Sequence, residues 1–129
     1  MRTWDVIGGG VVAACLFVAS SAVAGPLEDG MVAYNRGDYM PAIRLFRPLA
    51  EAGNPKAQGV MGVMYRRGEG VPRNLARAFM WFSFAAKRGD TAAKAELHEV
   101  SAAMTPAEMS QAEAMMQSCE ASDYRNCEY

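Results

Sequence analysis

The sequence predicts an all-α protein built as an α-solenoid of about three helix-turn-helix pairs, and three observations predict it. The first is an internal repeat. Tyr34 to Asn54 aligns with Tyr65 to Gly68 plus Asn74 to Asp90, so that Tyr34 falls on Tyr65, Gly37 on Gly68, Ala42 on Ala78, Phe46 on Phe82 and Gly53 on Gly89. The last pair sets a period of 36 residues, in the range of solenoids made of helix pairs. The second is the recurrence of apolar residues at helical intervals, with no stretch that alternates in the two-residue period of a strand. The third is punctuation, with capping residues and glycines placed where helices should start and stop.

Taken in order, the helices are expected near residues 27–36, 39–51, 55–67, 75–88, 91–103 and 106–121. The first precedes Gly37. Asp38 is the expected N-cap of the second, and Pro48, which has no N–H to donate, should kink or shorten it. In the third, Ala57, Met61, Met64 and Tyr65 form one apolar stripe, and Gly68 stands where a left-handed residue ends a helix. Asn74 caps the fourth, whose buried face should be Ala78, Phe79, Phe82, Ala85 and Ala86, with Gly89 closing it. The fifth opens a third copy at Thr91, where Ala93 matches Ala57 and Leu97 matches Met61. The sixth begins with Thr105, Pro106 and Glu108, a capping box with proline at the first helical position. Met109, Ala112, Met116 and Cys119 continue one face of it.

The segment before these helices is different in kind. Between Val6 and Leu27 there is no charge, and Ala22-Val23-Ala24 has the small-x-small pattern of a signal-peptidase site. Residues 1–24 are expected to be a signal peptide cleaved after Ala24. Residues 25–129 are then a repeat domain with units near 27–53, 54–89 and 90–121 and a short tail, 122–129. The uncharged run is also long enough for an anchor, and Cys15 after Val-Ala-Ala could be a lipidation site, although the strongly apolar Leu16-Phe17-Val18 argues against that. Gly8-x-Gly10-x-x-Ala13 with Glu28 twenty residues on has the spacing of a dinucleotide fingerprint, but that motif needs a strand, a helix and a second strand, and none follows. The domain is expected outside the cytoplasm, periplasmic or secreted.

Without residues 1–24 the chain carries twelve bases and thirteen acids, which argues against general nucleic-acid binding. The distribution is uneven: seven bases and two acids lie between Arg66 and Lys94, and seven acids and one base from Glu96 onward. Cys119 and Cys127 form a pair eight apart that can close a small loop in an oxidising compartment. Two sulfurs with no nearby histidine would leave a zinc half-coordinated, so no metal site is expected.

The second copy resembles the Sel-one-like repeat family, a relative of the tetratricopeptide repeats, and is similar to exported bacterial members. The residues that carry the likeness are Ala57, Met61-Gly62, Tyr65, Gly68-Glu69-Gly70-Val71, Asn74, Arg77-Ala78, Trp81-Phe82, Ala85-Ala86 and Gly89. Phe84 departs from the pattern, standing where lysine is usual, and suggests an extra apolar contact with a neighbouring element. The resemblance implies a right-handed α-solenoid that serves as a protein-interaction scaffold, with no reaction and no cofactor. It also supplies an alternative. Some cysteine-rich members are associated with β-lactamase or penicillin-binding activity and carry cysteines eight apart, which Cys119 and Cys127 show once.

No constellation for catalysis is visible. His98 is the only histidine, and Ser83, Ser101 and Ser110 have no spaced histidine and acid to activate them. The methionines sit mostly on apolar helical faces, as gap fillers rather than Cu(I) ligands, and Trp81 is expected in the core. The arginine-rich, glycine-rich stretch Met64–Asn74 follows a helix and lacks Lys-Ser or Lys-Thr, so it is a turn rather than a phosphate loop. In tetratricopeptide-like units the first helix of each pair lines a concave groove. Counting from Met61, Gly62 and Tyr65 as inward residues, the groove should carry Val32, Asn35, Lys56, Gly59, Val63, Arg66 and Glu99. The expected partner is a protein or peptide in the cell envelope, with no nucleic acid, and with membrane only through the signal segment if it is retained.

Overall fold

The computed structural model describes residues 25–125 and Cys127; the expected signal peptide, with Cys15, lies outside them. Six helices follow one another: α1 (Pro26–Asn35), α2 (Tyr39–Glu51), α3 (Pro55–Arg67), α4 (Leu75–Lys87), α5 (Thr91–Ala103) and α6 (Pro106–Ala121). Among the described residues there is no strand. Helices α1 to α4 each pack on the next in sequence, and α3 also reaches α5 across one face. This is the α-solenoid of helix-turn-helix pairs that the repeat predicts.

Local signals set the boundaries. The side-chain oxygens of Asn54, Asn74 and Asp90 accept hydrogen bonds from the N–H groups of Ala57, Arg77 and Ala93, each at 3.0 Å. Each satisfies a donor at a helix start that has no intrahelical partner. Thr105 accepts from the Glu108 N–H at 3.2 Å while the Glu108 carboxylate accepts from the Thr105 N–H at 2.9 Å, completing the capping box. Helix α2 differs from expectation in two details. Asp38 occupies the N-cap position but its side chain makes no capping bond. Pro48 does not shorten the helix, which runs on to Glu51, with the Ala52 N–H bonded to the Pro48 carbonyl at 3.0 Å. Burial of Ala42, Ile43, Phe46 and Ala50 along one face holds α2 together across the missing donor.

The core runs between the helices as one apolar cluster. Trp81, Phe46, Phe82, Phe84, Met61, Met64 and Met80 are fully buried, so Trp81 is a packing residue, not an exposed anchor. The repeat-equivalent Phe46 and Phe82 share a device: each ring lies against a glycine of the preceding helix. A Cβ on Gly30 would come within 2.7 Å of the Phe46 ring, and one on Gly62 within 2.6 Å of the Phe82 ring. Between units, the buried Gln58 donates its amide to the Ala50 carbonyl at 2.9 Å, tying α3 to the end of α2.

The third pair is built differently from the first two. Helix α6 packs on α4 and barely touches α5, to which only Met104 and Thr105 join it. Phe84 on α4 explains this placement. Its ring meets Tyr124 edge-on at 5.3 Å, and a disulfide between Cys119 and Cys127, both buried, turns the chain after α6 back so that Tyr124 lies there. Arg88 sits over the Tyr124 ring at 5.3 Å, and Lys87 pairs with Glu120 at 2.9 Å. The departure at Phe84 is thus the apolar contact that seats the C-terminal element.

Candidate functional site

The first helices of the second and third units, α3 and α5, leave a groove between them with a volume of about 540 Å³. Helix α3 contributes Pro55, Lys56, Gly59, Val60 and Val63, and α5 contributes Ala92, Ala93 and Glu96. Phe82 lies at the bottom, the turn Arg88-Gly89-Asp90 borders one end, and Tyr34 of α1 reaches the lining from the first unit. The floor is therefore apolar, and the charged groups stand along the rim.

Of the residues expected on a groove face, Lys56, Gly59 and Val63 line this cavity. Arg66 lies one turn further along α3, where its guanidinium pairs with Glu96 of α5 at 3.2 Å. Val32 and Asn35 on α1 and Glu99 on α5 are exposed and are not among the lining residues. Sequence counting did not find Tyr34, Val60, Arg88, Asp90 or Glu96. Glu96 was within reach of the repeat itself, because it lies one 36-residue period after Val60.

Tyr34 is held by the glycine-rich turn between α3 and α4. Its hydroxyl shares a hydrogen bond with Glu69, and burial first, then the Glu69 carboxylate, raises the phenol's pKa above its ordinary value of 10.0. Glu69 also faces Arg67 at 3.6 Å. The turn needs its glycines. Gly68 ends α3 at φ +72°, and a Cβ on Gly70, at φ +73°, would lie 2.9 Å from the Tyr39 Cβ. The stretch that looks like an anion loop thus clamps the first unit to the second.

Both carboxylates in the lining are already engaged, Asp90 as the cap of α5 and Glu96 with Arg66. Among the described residues Lys56 has no carboxylate within ion-pair distance. Arg88 contacts Tyr124 and donates weakly to the Phe84 carbonyl at 3.5 Å. Elsewhere, His98 is exposed, the Ser83 hydroxyl donates to the Phe79 carbonyl at 2.7 Å, and Ser101 donates to the His98 carbonyl. Among the described residues no three His, Cys, Asp or Glu side chains are placed to hold a metal, and no helix is long and apolar enough to cross a membrane.

This groove flanks the unit that carries the strongest repeat pattern, and that unit, residues 55–90, matches the Sel1 repeat family. The similarity covers 36 of the chain's 129 residues, the length of one repeat. The match covers all of α3 and α4 and the turn between them, and ends on Asp90 at the mouth of the groove. Sel1 repeats are helical scaffolds for protein–protein interaction. No solved structure matches the chain.

Proposed function

We propose that this protein is an exported, non-catalytic Sel1-repeat scaffold of the cell envelope that holds a segment of another protein in the groove between α3 and α5. The observation that carries the reading is the groove itself, an apolar floor with a charged rim between consecutive first helices. Its volume is in the range of pockets that enclose a drug-sized ligand, roughly 300–1,000 Å³. It therefore suits a few residues of an extended chain rather than several turns of a helix. The export part is supported by the signal-like residues 1–24 and by the Cys119–Cys127 bridge, which suits an oxidising compartment.

A random peptide library panned on the purified chain tests the binding claim. Binders that are lost when Val63→Trp fills the groove support it; binders indifferent to that change contradict it. Turnover of nitrocefin by the purified chain would contradict the non-catalytic part. Intact mass of the exported product tests cleavage after Ala24.

A further inference from the structure

Resting on the groove reading above, we infer that the groove selects a peptide segment that pairs an acidic group with a neighbouring apolar side chain. The cationic end of the groove lies at the start of α3. Lys56 stands there, exposed and without a carboxylate partner among the described residues. Arg88 stands there too: its guanidinium lies near Gly53, where an added Cβ would be 3.1 Å away, just ahead of α3. The negative charges of the lining each have one partner, whereas Lys56 has none among the described residues. Asp90 sits at the N-terminus of α5, where its carboxylate accepts from the Ala93 N–H and is offset by the helix dipole. Glu96 is neutralised by Arg66 at the far end. What the groove offers a newcomer is therefore positive charge at one end, beside an apolar floor. Gly59 keeps the floor low, and the Asp90 Oδ2 borders it, 3.4 Å from where a Cβ would stand.

An anionic group held by Lys56 and Arg88 would place the adjoining side chain over Gly59, Val60 and Phe82. A basic segment would meet two cations at that end, and a purely apolar one would leave Lys56 unmatched. Rim charges of this kind set selectivity and salt dependence more than total affinity.

Panning a random heptapeptide phage library on the purified, oxidised chain tests the assignment. Selected peptides should be enriched in Asp or Glu next to Leu, Ile, Val or Phe. A synthetic peptide of that pattern should bind about tenfold more weakly to Lys56→Glu, since like-charge repulsion replaces a solvent-screened attraction. Its affinity should fall as salt rises. Lys56 is exposed and has no ion-pair partner among the described residues, so that variant keeps the fold, and circular dichroism checks it. Selected peptides without acidic enrichment, or an acidic binder indifferent to Lys56→Glu, would overturn this inference while leaving groove binding intact. Recovery of no peptide, or only of peptides indifferent to Val63→Trp, would overturn both.

Discussion

Gly62 has no room for a methyl group. The Phe82 ring occupies the place, 2.6 Å from where a Cβ would stand, so α3 crosses α4 with backbone against ring. Gly62→Ala should gain about 1 kcal/mol of helix propensity and lose about 1–3 kcal/mol to overpacking. The net expectation is destabilisation, read from the midpoint of denaturant unfolding; a stabilised variant would show that the helices separate freely. Tyr34 makes a second prediction at this scale. Its pKa is raised by burial and by Glu69, so folding favours the neutral phenol. The stability this contributes is complete below the ordinary pKa and is lost as pH rises through the higher folded value. Ultraviolet absorbance titration should show a late tyrosine ionisation that loses amplitude in Tyr34→Phe and moves down in Glu69→Gln. The role of Glu69 was not legible in the sequence, because Tyr34 lies in one repeat and Glu69 in the insertion that the first repeat lacks.

The helices as elements were largely legible, for local reasons. Asn74 and Thr105 bond to the backbone three residues on, and a spacing of three is visible in a sequence. Asn54 and Asp90 do the same work one period apart, each just after a glycine, and the repeat alignment contained that signal as well. The seat of α6 was not legible. The repeat predicts that α6 closes against α5, whereas it packs on α4, because the Phe84–Tyr124 contact and the disulfide join residues far apart in the chain. Replacing both Cys119 and Cys127 with alanine should cost about 2–3 kcal/mol by the chain-entropy account of a short loop. Amide exchange should quicken first at Asp123, Tyr124 and Arg125, while α3 stays protected. Equal loss of protection throughout would mean that the staple supports the whole solenoid and not its last element.

At the scale of the molecule, the repeat phase located α3's side of the groove and missed the other. Counting found Lys56, Gly59 and Val63 on α3, and carried Val63 one period on to Glu99, whereas α5 lines the groove with Ala92, Ala93 and Glu96, one period after Lys56, Ala57 and Val60. The rim's availability was hidden too, since the sequence shows how many charges there are but not that Asp90 and Glu96 are engaged. The proposed function places a docked partner in this groove. Amide chemical-shift mapping of the purified chain with a selected acidic-apolar peptide tests it most directly. The predicted result is a set of shifts confined to Lys56–Val63 of α3, the turn at Arg88–Asp90 and Ala92–Glu96 of α5. Shifts centred on α2 or α6, with those residues silent, would contradict it.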